Sequence, residues 1–329
     1  MREFGYERVF DIPGAVALLG ASPDARFLGG GTNLVDLMKA GVERPALLID
    51  VTDLPLDAVE FTQDGLRIGA TVTNSDLAAH PEVRRHYPAL AQAVLAGASG
   101  QLRNMATVGG NLLQRTRCGY FTDLSKPCNK RAPGSGCPAL TGEHHNHAIL
   151  GGSKHCVATH PSDMAVALAA FDAVISYETA DGPGELSMTE FYLPVGDTPH
   201  VETALPPGAL ITGVTLPPAP VAHHSRYRKV RERASYAFAI GSIAAALEVQ
   251  DGVVRDVRLA LGAVASRPWR ARTAEQVLIG GPANAEAYAA AADAELAAAE
   301  ALPENGYKVT LMRNLVVAVL TELTEEATR

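Results

Sequence analysis

The chain has few residues of the kinds on which nucleic-acid-binding and membrane proteins depend. Aromatic residues make up 5% of its 329 positions and tryptophan occurs once, so a platform for stacking bases is not expected. Lys and Arg number 28 against 36 Asp and Glu, a formal net charge of -8, which argues against phosphate-backbone binding as the main role. No apolar run reaches the roughly 18 residues of a transmembrane helix. We therefore expect neither nucleic acid nor a membrane as a partner.

The N-terminus lacks the apolar segment of a secretory signal. Residues 1–7 read MREFGYE, and three of these side chains are charged. A signal peptide would instead place an apolar stretch after its first basic residues. The sequence therefore predicts a cytoplasmic protein. Export together with a partner that carries a signal would place the same chain in the periplasm.

Length and composition predict two or three domains with packed cores. Domains usually hold about 100–200 residues, and hydrophobic residues make up 47% of this chain. Strand and helix signals alternate over residues 1–55, which indicates a small α/β unit. A second unit is expected over 56–220, with an insertion at 115–158 that contains every cysteine. The proline-rich stretch Pro217 to Pro220 indicates a boundary, so a third unit is expected over 221–329.

Two glycine-rich turns are the first candidates for a binding site. Gly29 to Asn33 follows a predicted strand and precedes a predicted helix, so its exposed backbone N–H groups and the helix dipole would favour an anion. The turn is either a pyrophosphate cradle or an ordinary tight turn, since it lacks the Rossmann pattern and the lysine of a P-loop. Thr107 to Asn111 is a second such turn, with hydroxyl and amide side chains. Two turns of this kind favour a nucleotide, with one turn for each phosphate of a pyrophosphate.

Three local patterns predict secondary structure that bears on the later architecture. Asn74 or Ser75 is expected to cap a short helix. The alanine-rich run from Ala237 to Val249 is compatible with a helix, but the Asp-Gly dipeptide and apolar run at 251–261 are typical of a hairpin. Strands are therefore expected on both sides of that dipeptide. A helix is expected over Trp269 to Ile279.

All four cysteines lie within a 39-residue stretch at the spacing C-x9-C-x8-C-x18-C, which indicates a shared role. Disulfides suit small secreted domains and are the least favoured explanation. Zinc favours Cys and His ligands at closer spacing, although four histidines lie between 144 and 155. A [4Fe–4S] cluster is held by four thiolates, and its size tolerates wide spacing. The four candidate metal ligands are Cys118, Cys128, Cys137 and Cys156.

Four motifs follow one another along the chain: Phe27–Leu34, Ala106–Leu112, Pro161–Asp163 and Tyr227–Tyr236. Their order resembles that of a known family, the flavin-binding medium subunits of the molybdenum hydroxylases. This family includes xanthine dehydrogenase, carbon monoxide dehydrogenase and aldehyde oxidoreductase. The resemblance implies an α+β fold: a two-subdomain FAD-binding domain, similar to that of vanillyl-alcohol oxidase (PCMH-like), and a C-terminal domain of antiparallel sheet and helices, as in the CO dehydrogenase flavoprotein.

The resemblance also implies which residues contact FAD. The two glycine turns fall where the family binds the pyrophosphate region, and Asp163, Ile211 and Lys229 fall at further FAD contacts. Without the resemblance, Lys229 would be interpreted as a solvated strand lysine, Ile211 as core and Gly97 as a helix C-cap. The residues expected to contact FAD in the turns are Arg26, Phe27, Leu28, Gly29, Gly30, Gly31, Thr32, Asn33, Leu34, Thr107, Val108, Gly109, Gly110 and Asn111.

The cysteine-containing insertion restricts the resemblance to one group within the family. Most members of the family lack it, including xanthine dehydrogenases, whereas the segment Asn111 to Cys118 resembles bacterial aldehyde oxidoreductases of the periplasmic type. Those proteins carry a [4Fe–4S] cluster in the flavin subunit, so the resemblance favours a cluster over zinc. A flavin subunit of the benzoyl-CoA reductase or xanthine dehydrogenase type remains the alternative within the family.

The expected function is electron transfer through FAD and a [4Fe–4S] cluster within a heterotrimer. The resemblance implies a large subunit with a molybdenum cofactor, which oxidises an aldehyde to a carboxylic acid, and a small [2Fe–2S] subunit. An acceptor such as oxygen or ferredoxin would take the electrons. No nucleophile–base pair stands out, so no catalytic residue is predicted. The alternatives from other classes are a zinc-stabilised scaffold without redox chemistry and a free-standing flavoenzyme.

Overall fold

Three β-sheets, each covered by helices, make up the fold. The structure, a computed structural model that describes residues 1–327, contains twelve strands and thirteen α-helices over that range. The strands are β1 Gly5–Arg8, β2 Ala25–Leu28, β3 Leu47–Asp50, β4 Val59–Thr62, β5 Gly65–Gly69, β6 Val174–Thr179, β7 Gly182–Ser187, β8 Leu210–Leu216, β9 Ser225–Val230, β10 Gly241–Gln250, β11 Val253–Gly262 and β12 Trp269–Arg270.

The helices are short except for the last. They are α1 Ile12–Ala21, α2 Leu34–Ala40, α3 Asn74–Ala79, α4 Pro81–His86, α5 Pro88–Ala96, α6 Gly100–Arg103, α7 Val108–Leu112, α8 Gly119–Thr122, α9 Asp163–Ala170, α10 Met188–Phe191, α11 Arg272–Leu278, α12 Ala285–Leu296 and α13 Tyr307–Ala327. None of the helices in residues 1–327 combines the length and the apolar character that crossing a membrane requires.

The first sheet is parallel and has the order β1-β3-β2. Helix α1 begins where Asp11 Oδ1 accepts a hydrogen bond from the backbone N–H of Gly14 at 2.7 Å, and Pro13 occupies its first turn. The chain leaves β2 through the Gly29–Asn33 turn and enters α2, so the turn lies at the carboxyl end of a parallel strand. Ligands of parallel sheets usually bind at this end.

The second sheet is antiparallel with the order β4-β5-β8-β6-β7. The connection from β5 to β6 contains helices α3 to α9, and both the Thr107–Asn111 turn and the cysteine insertion lie within it. The predicted cap of α3 at Asn74 or Ser75 is wrong, because Thr73 Oγ1 accepts the hydrogen bond from the backbone N–H of Asp76 at 3.1 Å. Asn74 is instead the first residue of the helix, and its side chain is buried.

The third sheet is antiparallel with the order β12-β11-β10-β9. The predicted hairpin is confirmed: Asp251 and Gly252 join β10 to β11 with φ values of 53° and 74°, as a two-residue primed turn requires. The predicted helix from Trp269 begins late, at Arg272, because Trp269 and Arg270 pair with β11 as a short edge strand.

Strand β10 explains why an alanine-rich run forms a strand here. Its side chains alternate between two cores, because successive residues of a strand point to opposite faces. Ala244 and Ala246 belong to the core of the first two sheets. Ile243, Ala245 and Leu247 belong to the core beneath α11, α12 and α13. The small alanines let α5 and α9 pack closely against the sheet. The third sheet is therefore joined to the rest of the protein through a continuous apolar core.

The segment from 113 to 162 contains little regular structure and is held at both ends by α7 and α9. It also docks on the last third of the chain. The backbone N–H groups of Ile149 and Leu150 both donate to the carbonyl oxygen of Val264, at 2.8 and 2.9 Å. The ammonium group of Lys308, which is fully buried, donates to the carbonyl oxygens of His147 and Ala263 at 3.0 and 2.5 Å. The insertion is therefore fixed between two parts of the protein.

Candidate functional site

A cavity of about 520 Å³ lies where elements of all three sheets meet. Its walls are the turn before α2, the ends of α5 and α7, the start of α9, and Lys229 of β9 with the loop after that strand. Pockets for small molecules and cofactors typically measure about 300–1,000 Å³ and prefer domain junctions. The cavity is therefore the candidate cofactor cleft.

The two glycine turns lie side by side at this cleft. A Cβ atom at Gly30 would lie 1.6 Å from the carbonyl oxygen of Met105, and one at Gly29 would lie 2.7 Å from Thr107 Oγ1. Contacts below about 3.0 Å are not tolerated without movement of the backbone. Because Gly29 and Gly30 have no side chains, the first turn can approach the second. The sequence alone did not predict this contact.

Two asparagines connect the turns to the insertion. Asn33 Oδ1 accepts a hydrogen bond from the backbone N–H of Arg115 at 2.8 Å. Asn111 Oδ1 accepts from Gln114 Nε2 at 2.8 Å and from Ser162 Oγ at 2.6 Å. Within residues 1–327 neither asparagine NH2 group has a protein acceptor, and both asparagines line the cleft. These amide groups can therefore donate to a bound cofactor.

The structure brings several predicted FAD contacts to the cleft wall and leaves others behind it. The remaining turn residues are not among those that line the cleft. Arg26 is exposed and donates to the carbonyl oxygen of Ala25, and Ile211 is buried in β8 opposite Tyr177. The predicted FAD contacts of Arg26 and Ile211 stay predictions that this geometry does not support. The predicted residues that line the cleft are Thr32, Asn33, Gly110, Asn111, Asp163 and Lys229.

A buried ion pair lies at the end of the cleft nearest the third sheet. Lys229 Nζ lies 2.8 Å from Asp163 Oδ2, with side chains 4% and 8% exposed, so Lys229 is not a solvated strand lysine. Tyr227 donates a hydrogen bond to Asp163 Oδ1 at 2.5 Å. Burial raises the pKa of Asp163, whereas Lys229 and Tyr227 act in the opposite direction. Lys229 also donates to the carbonyl oxygen of Ala96 at 3.1 Å, just before Gly97, whose Cβ would meet Asp163 Oδ2 at 3.4 Å.

Asn74 is a cleft residue that the sequence analysis did not assign to the site. Its side chain is 4% exposed, and among the described residues its Oδ1 atom has no hydrogen-bond partner. Buried polar atoms nearly always have a partner, so this atom is suited to a ligand donor. In the sequence, the only indication that Asn74 belongs to the site was its position directly after Thr73, which caps α3. Arg117 and Phe238 also line the cleft without having been predicted.

The four cysteines converge on one small pocket within the insertion. All four are free thiols. Cys156 donates a hydrogen bond to Cys137, which lowers the pKa of Cys137 to about 7 and raises that of Cys156. Burial raises the pKa of Cys118, and Cys128 and Cys156 are close enough to add to this effect. The insertion thus brings together thiols that lie up to 38 positions apart in the sequence.

Donors surround the thiols. Backbone N–H groups of Tyr120 and Phe121 face Cys118, and that of Ala158 faces Cys156. Nε2 of His147 lies 3.2 Å from Cys118 Sγ. Within the described chain, Nδ1 of this ring has no partner. Hydrogen bonds to sulfur are a feature of iron–sulfur sites, where they tune the reduction potential.

Across residues 1–327, no group of three or more His, Cys, Asp or Glu side chains is arranged to hold one metal ion.

Glycine turns side by side, a cleft shared by three sheets and an α+β fold together define a protein that binds a nucleotide cofactor. Residues 2–219 match the family described as the FAD binding domain in molybdopterin dehydrogenase. Residues 225–323 match the CO dehydrogenase flavoprotein C-terminal domain. The chain therefore belongs to the FAD-binding medium subunits of the molybdenum hydroxylases, and it is an oxidoreductase component of an enzyme complex.

Individual relatives agree with this family. The chain is 52% identical to the aldehyde oxidoreductase FAD-binding subunit PaoB of Escherichia coli, over 99% of this chain and 100% of that protein. It is 26% identical to the glyceraldehyde dehydrogenase medium chain of Sulfolobus acidocaldarius, over 86% of this chain and 83% of that one. Quinoline 2-oxidoreductase of Pseudomonas putida 86 has the same fold, with a TM-score of 0.77, 21% identity and coverage of 100% and 99%. The predicted fold class is confirmed.

Gly30→Ala tests the contact between the two turns. The added Cβ would overlap the Met105 carbonyl oxygen, so we expect the free energy of unfolding to fall by about 3 kcal/mol, the upper end of the usual overpacking range. We also expect loss of FAD. The measurements are the flavin content of the purified protein and urea unfolding. Gly100→Ala is the control, because nothing lies within 4 Å of its Cβ. Equal flavin content and stability in the two variants would contradict the expectation.

Lys229→Met tests the buried ion pair. Removing one partner of such a pair costs about 3–5 kcal/mol, since the remaining charge stays buried. The pKa of Asp163, already raised by burial, would rise further. A raised carboxyl pKa contributes stability at low pH that is lost as the pH rises through that pKa. The loss of unfolding free energy in Lys229→Met should therefore be small at acid pH and grow towards neutral pH.

The measurement is urea unfolding of Lys229→Met at a series of pH values from acid to neutral. Lys39→Met is the control, because Lys39 is exposed on α2. A loss of stability independent of pH, or one no larger than that of the control, would argue against an uncompensated charge on Asp163.

Proposed function

We propose that this chain is the FAD-binding electron-transfer subunit of a molybdenum-dependent aldehyde oxidoreductase. The observation that carries the proposal is 52% identity to an aldehyde oxidoreductase FAD-binding subunit along nearly the whole chain. The medium chain of a glyceraldehyde dehydrogenase is a second relative named for an aldehyde substrate. The proposed partners are a large subunit with the molybdenum cofactor and a small [2Fe–2S] subunit.

The chain's own residues would bind and orient the cofactors. The proposed FAD contacts are the two turns, of which Thr32, Asn33, Gly110 and Asn111 line the cleft, together with Asp163 and Lys229. Bound FAD and a [4Fe–4S] cluster would carry electrons from aldehyde oxidation in the partner to an acceptor such as oxygen or ferredoxin. The described cleft residues include no nucleophile paired with a base, which agrees with a subunit whose chemistry belongs to its cofactors.

The [4Fe–4S] cluster is the second part of the proposal. Its ligands would be Cys118, Cys128, Cys137 and Cys156. Support comes from the single pocket that the thiols share and the N–H donors around them. The buried ammonium of Lys130 lies at the same pocket and favours the thiolate form of Cys156, so it would offset part of the negative charge of a thiolate-bound cluster.

Two further predictions remain part of the proposal. The division into residues 1–55, 56–220 and 221–329 agrees with the ranges of the three sheets, although the last two positions of the third unit lie outside the described residues. The proposed location is the cytoplasm, and a signal-bearing partner would instead direct the complex to the periplasm. Fractionation of cells that express all subunits tests the compartment.

Aldehyde oxidation by the complex tests the main proposal. We expect the chain to co-purify with two partner subunits, molybdenum and FAD, and the complex to oxidise an aldehyde with a dye acceptor. The isolated chain should bind FAD but show no aldehyde activity, because the substrate would react at the partner. Oxidation of aldehyde by the isolated chain would contradict the subunit role. A complex active on xanthine and inactive on aldehydes would favour the xanthine dehydrogenase alternative.

Cys128→Ser tests the cluster. We expect loss of iron and acid-labile sulfide with FAD retained, because the cysteine pocket and the cleft use different side chains. Iron, sulfide and zinc analysis together with visible absorbance provide the measurement. Ser125→Ala is the control, since Ser125 is exposed in the same insertion. A full iron content in Cys128→Ser, or zinc without iron in the wild-type protein, would rule out the proposed ligand set.

A further inference from the structure

One side chain of the cysteine insertion enters the cofactor cleft. Arg117 lies directly before Cys118 in the sequence, yet its side chain lines the cleft together with Asn111 and Gln114. Its guanidinium stacks over the ring of Phe238, with the carbon Cζ 4.8 Å from the ring centroid. Arg117 is therefore next to a proposed cluster ligand in sequence and beside the proposed flavin site in space.

The guanidinium of Arg117 has few partners in the protein. Its Nη1 atom donates to the carbonyl oxygen of Arg115 at 2.5 Å, which uses one of five N–H donors. Asp36 is near enough to favour the charged form, but within residues 1–327 no carboxylate lies in salt-bridge contact with Arg117. An arginine keeps its charge in proteins, and the Arg117 side chain is half-buried. Arg117 is thus a partly buried cation with unused donors.

The other cations of the cleft differ from Arg117. Lys229 is neutralised by Asp163 at 2.8 Å. Arg233 donates to the carbonyl oxygen of Tyr236 at the exposed end of the cleft. An anion in the cleft would give Arg117 the counter-charge that no salt bridge supplies within residues 1–327.

We propose that Arg117 binds an anionic oxygen of FAD, so that the cysteine insertion supplies part of the flavin site. The diphosphate is the favoured source of that oxygen, because Asp36, which acts on Arg117, lies in the first turn of the helix that follows the Gly29–Asn33 turn. The pyrimidine edge of the reduced flavin ring is the other source in the same cofactor. Planar, multidentate donors make arginine well suited to either group.

Arg117→Gln in the FAD-depleted complex tests the proposal. We expect the Kd for FAD to rise roughly tenfold or more, the size of effect typical for the loss of a charged hydrogen bond. Arg117→Lys should lose less FAD affinity, because lysine keeps the positive charge but lacks the planar set of N–H donors of the guanidinium. Arg84→Gln is the matched control, because Arg84 is exposed on α4 and does not line the cleft. Its FAD affinity should equal that of the wild type.

Adenosine diphosphate distinguishes the two anionic sources, because it carries the diphosphate without the flavin ring. If Arg117 binds the diphosphate, Arg117→Gln weakens this probe as much as it weakens FAD, and the flavin midpoint potential is unchanged. If Arg117 binds the reduced ring, the probe binds normally and the potential falls. Unchanged FAD affinity together with an unchanged potential would overturn the proposal.

Chemical labelling of the wild-type complex provides a test that does not depend on whether a variant folds. Phenylglyoxal modification of Arg117 in the wild-type complex, followed by mass spectrometry, should be slowed by FAD. Equal labelling with and without FAD would also overturn the proposal. Because the family relationship supports FAD binding independently, a protein that holds FAD but no iron would refute the proposed cluster and leave this inference intact.

Discussion

The contact between the two glycine turns is the constraint on which the cofactor cleft depends. Gly30 lies against the Met105 carbonyl group with no room for a Cβ atom, and this contact joins the first sheet to the connection between β5 and β6. Asn33 then bonds to Arg115, the first residue of the insertion. One close backbone approach thus positions both glycine-rich turns and the start of the cysteine segment.

A second constraint brings the C-terminal unit to the same cleft. Strand β10 places alanines in the core that faces α5 and α9 and larger side chains in the core that faces α13. Its neighbour β9 is thereby held in register, with Lys229 opposite Ser242, and the lysine reaches Asp163 at the start of α9. The charge pair is buried only because the two units pack this closely. Lys229 and Asp163 are therefore brought together by the packing of the two units, although they lie far apart in the sequence.

Local patterns predicted most of the fold and part of the site. The Asp11 cap, the hairpin at 251–252 and the two glycine turns depend on a few adjacent residues, so they can be recognised in the sequence. The burial of Asn74, the late start of the helix after Trp269 and the cleft position of Arg117 depend on tertiary contacts that no local window contains. The resemblance to the family identified the position of Lys229, but its ion pair with Asp163 became apparent only in three dimensions.

The insertion links the two candidate cofactor sites through the covalent chain. Cys118 follows Arg117 of the cleft wall, and Cys156 lies seven residues before Asp163. Lys308 and Asn305 hold the carbonyl group of His147 from the opposite side, so the ring beside Cys118 is fixed by the C-terminal unit. Rigid surroundings reduce the rearrangement that accompanies a change of charge at a redox centre. The insertion is therefore fixed on one side by the turns of the flavin cleft and on the other by the C-terminal unit, while the two sites use different side chains.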